Sequence, residues 1–162
     1  LKKRSFIVAS FGKTFHNTGW KVGYACAPKE LMLEFLKVHE FTVFSIHHPS
    51  QRALAQYLSE PNHYQELSEL FQCKRDLFLN LIKASRFSFK PSKGTYFQAL
   101  NFSKISQEND YQLAKRLTKE KKIASIPFSV FNVNNLDEKM LRFCFAKTDE
   151  TLVKAAEILN KV

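Results

Sequence analysis

The sequence predicts an α/β chain in two parts, α/β packing followed by an α+β arrangement. Three observations predict it. Short apolar runs and helical stripes alternate over the first sixty residues. A long amphipathic stretch then follows, "EPNHYQELSELFQCKRDLFLNLIKAS", with Leu67, Leu70, Phe71, Leu77, Phe78, Leu81 and Ile82 at helical spacing. Beyond it the pattern changes to the alternation of strands. The division is expected after Pro61, so residues 1–61 form one part and residues 62–162, headed by the long helix, the other.

Residues 4–9, "RSFIVA", are expected as a buried strand, and residues 22–27, "VGYACA", as a second one closed by Pro28. A loop containing Lys13 joins them. A helix is expected from Lys29, with Leu31, Phe35, Leu36 and His39 on one stripe. "SIHHPSQ" breaks it, and Pro49 or Ser50 opens the next helix. The long helix starts at Pro61 and Asn62. "RFSFKPSKGTYFQALNF" predicts a hairpin-like strand pair around a Pro/Ser/Lys/Gly turn. "NDYQLAKRLTKEKK" predicts a helix capped by Asn109 or Asp110, with cations at its negative end. "IASIP" is a short strand. "KMLRFCFA" is another, with Leu141, Phe143 and Phe145 on one face and Met140, Arg142 and Cys144 on the other. A closing helix, "TDETLVKAAEILNKV", is capped by Thr148 with Asp149 and Glu150 in its first turn.

Composition narrows the classes of function. Of the 162 residues 44% are hydrophobic, sixteen of them Phe, which is enough for a core. No apolar run approaches the roughly 20 residues that span a bilayer, so no membrane role is expected. The net charge of +10 raises the question of nucleic acid. The basic residues are dispersed, with "LKKR", "CKR" and "KEKK" as the clusters, so a solvated basic surface is the expectation and nucleic acid is not. Cys26, Cys73 and Cys144 are far apart, odd in number and set among apolar residues. No Cys/His cluster predicts a metal site. Buried reduced thiols and a cytoplasmic location are expected. The start "LKKRSFIVAS" lacks a Met and is expected to be a cut through a longer protein rather than a targeting segment.

One stretch asks for chemistry. In "SFIVASFGKTFHNTGWKVGY", Lys13 follows an apolar strand and sits among small and polar residues. A lysine amine condenses with carbonyl compounds when its surroundings support the reaction. Ser10 lies three residues before it and Lys21 eight after, a hydroxyl and a cation suited to a phosphate dianion. Trp20 and Tyr24 are expected to pack, and His16 to be a loop residue.

The pattern Ser10, Lys13, Lys21, Val22, Gly23 resembles the cofactor-lysine motif of fold-type I, class I/II pyridoxal-phosphate aminotransferases, and is most similar to their methionine/glutamine/kynurenine branch. "KGTYFQALNFSKIS" and "LRFCFAKTDETLVKAAEIL" resemble two further segments of that family. The likeness covers essentially the whole chain. It implies the end of the large cofactor domain over residues 1–61 and the small C-terminal domain over residues 62–162. It implies pyridoxal 5'-phosphate joined to Lys13 and held by Ser10 and Lys21, with Arg142 gripping the substrate carboxylate. Tyr96 either lines the cleft or packs in the sheet. Ile46 and His47 match a turn that reaches the partner subunit's site in a homodimer, though His47 suits a turn histidine equally. Transamination between an amino acid and a 2-oxo acid is implied, with Lys13 moving the proton as base and acid. The parts of the family's site upstream of Lys13 are expected to lie outside this chain, so activity is attributed to a longer parent. Cysteine-conjugate or C–S β-lysis would use the same Lys13 and Arg142. A non-catalytic basic binding or regulatory module on the same fold is the alternative from another class.

Overall fold

Ile7–Ser10 (β1) and Gly23–Cys26 (β2) pair antiparallel, Ile7 opposite Cys26 and Ser10 opposite Gly23. The computed structural model describes all residues, 1–162, and divides them into two compact units, 1–66 and 67–162. Between β1 and β2 the chain makes a one-turn helix, Phe11–Thr14 (α1), and a 3₁₀ turn, Thr18–Trp20. Helices Lys29–Thr42 (α2), His48–Leu58 (α3) and Asn62–Gln65 (α4) complete the first unit.

The expected strand at 4–9 forms from Ile7 onward; among residues 1–162 nothing buries it, Ile7 being 65% and Val8 75% exposed. The strands form a two-stranded ribbon with only Gly12, Val22, Ser50 and Leu54 buried in the whole unit. A ribbon of two strands has too little apolar area to cover both its faces.

The second unit is built differently. Leu67–Leu81 (α5), Asp110–Lys121 (α6) and Asp149–Leu159 (α7) supply buried residues to one core with the sheet of Phe97–Asn101 (β3), Ile126–Pro127 (β4) and Met140–Cys144 (β5). The sheet order is β3-β5-β4, all antiparallel, with Leu100 opposite Leu141 and Ala99 opposite Arg142. Alternation along β5 is as the sequence predicts. Leu141, Phe143 and Phe145 are buried, whereas Met140, Arg142 and Cys144 are half-buried on the other face. Phe78, Ile82, Leu113, Leu117, Leu152 and Leu159 close over the buried side. Lys74, midway along α5, pairs with Asp149 at the start of α7, and Asn160 donates to the Leu81 carbonyl at their ends, so the two helices run in the same direction.

Three further expectations change. The long helix is interrupted at Glu66, which is also the last residue of the first compact unit. His63 stacks on Tyr57 at 4.0 Å and bonds its carbonyl at 2.8 Å, which ties α4 to α3. The apolar stripe of α5 instead packs on the sheet. The expected hairpin at 86–102 reduces to a single bridge, Ser88 with Asn101. Buried Gln98 takes over there: its amide donates to the Lys90 carbonyl and accepts from Ser92 N–H, doing with a side chain what a ladder would do. The thiols are not buried, since Cys26 and Cys73 are exposed and Cys144 half-buried. The caps at Asn109 and Thr148 form as expected, each side chain accepting from the backbone three residues on.

Two measurements follow from these cores. Expressed alone, residues 67–162 are expected to unfold cooperatively in urea, while residues 1–66 alone give no cooperative transition by circular dichroism. On the second unit, the Arg116 guanidinium and the Ser106 hydroxyl bond the Glu108 carboxylate and hold its pKa below the ordinary glutamate value. A depressed carboxylate pKa stabilises the fold above its ordinary value, and the effect is lost as pH falls through the depressed one. The stability gap between the native sequence and Arg116→Met is therefore expected to be constant above about pH 5 and to close on acidification.

Candidate active site

Ser10 ends β1 and caps α1, its Oγ accepting from Gly12 N–H at 3.1 Å. The ribbon continues one step further, with Phe11 N–H donating to the Val22 carbonyl at 3.1 Å. That pairing brings Lys21 back beside the start of α1. Lys13 therefore stands on a helical turn rather than in the expected loop. Lys21 adopts the left-handed region (φ 56°, ψ 37°), a cost of about 1 kcal/mol for a side chain without special need. The kink ends the Thr18–Trp20 turn and sends the chain into β2.

Two glycines permit this geometry. A Cβ at Gly23 would lie 2.5 Å from the Ala9 carbonyl oxygen, so only glycine lets the ribbon close here. At Gly12 a Cβ would meet Thr18 Cα at 3.0 Å. The Gly12 carbonyl in turn accepts from Asn17 N–H at 3.0 Å and Thr18 Oγ1 at 3.1 Å, which folds residues 12–18 tightly. Lys13 and Lys21 are exposed, and neither ammonium has an ion pair in the structure. Ser10 Oγ accepts a bond but donates none, so its proton is available. One corner thus holds a primary amine, a second cation and a hydroxyl donor.

In the second unit Arg142 lies on the sheet face away from the core. Its Cζ stands 4.1 Å from the Phe97 ring and 4.9 Å from the Phe131 ring. It has no acidic partner, and its Nε is buried without a hydrogen bond. A planar cation flanked by aromatic faces keeps its fork open for a planar anion. Tyr96 packs at 5.6 Å on Phe71 of α5 and at 4.6 Å on Phe97, so its ring backs the ring that flanks Arg142.

Ile46 and His47 stand in the turn between α2 and α3. Ile46 is half-buried and its carbonyl accepts from Gln51; His47 is exposed, with Nδ1 2.8 Å from Ser50 Oγ. The backbone brings Ser10, Lys13 and Lys21 to one end of the ribbon, and Phe97 links Tyr96 to Arg142. Phe97 and Phe131 were not singled out from the sequence. Phe97 lies inside the quoted "GTYF", but "PFSVFN" offers no periodicity that separates Phe131 from a packing aromatic.

A model of the family described as aminotransferase class I and II matches residues 2–159. The chain belongs to the class I and II aminotransferases. Among curated members it is 43% identical to a methionine aminotransferase of Escherichia coli (strain K12), over 100% of this chain and 42% of that one. It is 32% identical to a kynurenine–oxoglutarate transaminase of Dictyostelium discoideum, over 99% of this chain and 42% of the relative. Solved structures agree. An E. coli protein described as having a methionine aminotransferase function superposes with a TM-score of 0.94 at 43% identity, covering 100% of this chain and 43% of that one. The N-succinyldiaminopimelate aminotransferase of Mycobacterium tuberculosis gives 0.85 at 27% identity, over 99% and 42%. The chain thus spans about 42% of the length of the curated aminotransferases it matches. Its fold is α/β, as expected. Members of this family depend on pyridoxal phosphate, and the donor set around Lys13 fits that group: an amine for its aldehyde, with a hydroxyl and an ammonium for its phosphate.

Proposed function

We propose that the protein to which this chain belongs transfers amino groups between an L-amino acid and a 2-oxo acid. The observation that supports this most is the corner of the first unit, where Ser10, Lys13 and Lys21 offer a hydroxyl donor and two cations with no internal acid partner. When bound, pyridoxal phosphate supplies the electron sink for charge developing at the substrate's α-carbon. The remaining work falls to side chains. The Ser10 hydroxyl and the Lys21 ammonium hold the phosphate. The Lys13 amine would hold the group through its aldehyde. Lys13 would also move the proton at the substrate's α-carbon, as base and then acid. The Arg142 fork grips the carboxylate with two parallel N–H···O bonds, and Tyr96 supports that arm through Phe97.

Residues 1–66 are the end of a large cofactor domain in this reading, and residues 67–162 a small C-terminal domain. The protein is a homodimer in which Ile46 and His47 serve the partner subunit's site; the exposed rings of Phe41 and Phe44 beside that turn support an apolar contact there. The relatives' names favour methionine or an aromatic amino acid such as kynurenine as donor. Three unpaired thiols suit the reducing cytoplasm.

The full-length protein, loaded with pyridoxal phosphate, reduced with borohydride and digested, is expected to carry a pyridoxyl group on the Lys13 peptide in mass spectrometry. An adduct spread over surface lysines would overturn the assignment. In steady-state kinetics Arg142→Ala is expected to raise KM for the amino acid at least about 30-fold, the effect of leaving a carboxylate without its bidentate partner.

A further inference from the structure

Asp110 is a carboxylate only 1% exposed. Burying such a group is costly unless its oxygens are bonded. Both are: Oδ2 accepts from Ser129 N–H and Oδ1 from Ser129 Oγ–H, each at 2.7 Å. Helix α6 does not need Asp110 as its cap, because Asn109 accepts from Gln112 N–H at 2.8 Å. The carboxylate is therefore committed to the turn Phe128–Phe131, one residue of which is Ser129.

That turn is four residues long. It follows β4, which pairs with β5 over only two residues. Its last residue, Phe131, is 56% exposed, and its ring meets that of Phe128 in the same turn edge-on at 6.3 Å. The Phe131 ring also stands 4.9 Å from the Arg142 guanidinium. We propose that the Asp110–Ser129 clamp positions Arg142 for the substrate carboxylate, by anchoring the 128–131 turn so that Phe131 flanks the guanidinium. Asp110 and Ser129 are positioning residues, since neither touches the carboxylate. The inference rests on the reading of Arg142 as the carboxylate arm.

The test uses the full-length, cofactor-loaded enzyme and its variants Ser129→Ala, Ser129→Thr, Asp110→Asn, Phe131→Leu, Arg142→Ala and the double variant Ser129→Ala/Phe131→Leu. Each is measured for KM and kcat with the amino acid, for competitive inhibition by 4-(methylthio)butanoate, an acid without an amine, and for Tm. Ser129→Ala, Asp110→Asn and Phe131→Leu are each expected to raise KM and the inhibition constant roughly fivefold, with kcat within about twofold. Ser129→Thr restores the native values. The double variant is expected to be no worse than about twofold beyond Phe131→Leu, because both changes act through one ring. A folded Ser129→Ala enzyme with a lower Tm and unchanged KM would make the clamp purely structural and overturn the proposal. Multiplying effects in the double variant would also overturn it. If Arg142→Ala leaves KM and inhibition unchanged, the carboxylate reading itself fails and the clamp's role falls with it. If Asp110→Asn does not fold, Ser129→Ala, which keeps one of the two bonds, decides.

Discussion

Strand β5 lies between β3 and β4, and its side chains must alternate between two unlike environments. Leu141, Phe143 and Phe145 point into the core and bind the sheet to α5, α6 and α7. The same alternation places Arg142 on the outer face, opposite Ala99 of β3 and Ile126 of β4. A slip of one residue would turn the arginine into the core and three large hydrophobes out. Packing energy on one side of the strand therefore holds the register of the cation on the other. Loss of the core face would cost several kcal/mol for each large side chain, so the strand position that carries the arginine is well secured, while the direction of its guanidinium is left to the rings that flank it.

The first unit holds its cations by another means. It has almost no core, and close backbone approach takes its place. Gly23 against Ala9 and Gly12 against Thr18 let a ribbon, a helical turn and a kinked return occupy a small space. Ser10 contributes twice, as the cap of α1 and as a hydroxyl at its start. The many bare apolar side chains of this unit, Ile7, Val8 and Phe41 among them, contrast with the closed core of the second.

Much of this was legible in the sequence, for local reasons. Capping residues act within one helical turn, so Asn109 and Thr148 could be read directly. Alternation is a property of the strand itself, so the face of Arg142 could be read too. The motif around Lys13 depends on spacing along a short stretch and carried the family with it. The burial of the first strands is not legible in this way, because an apolar run states what a strand would prefer, not what covers it. The long helix was misplaced at its start because periodicity continues through Glu66, while a stacking contact between Tyr57 and His63 draws the first turn away.

By itself the sequence determined the local elements, the caps, the faces of the strands and the family, all of which depend on residues a few positions apart. Tertiary structure alone decided that Phe97 and Phe131, 34 positions apart by their numbers, flank one guanidinium, and that Asp110 reaches Ser129. Those contacts form because an antiparallel sheet and a helix start bring distant segments within a few ångströms of each other. No period or spacing in the chain encodes such a meeting; it exists only once the core has closed.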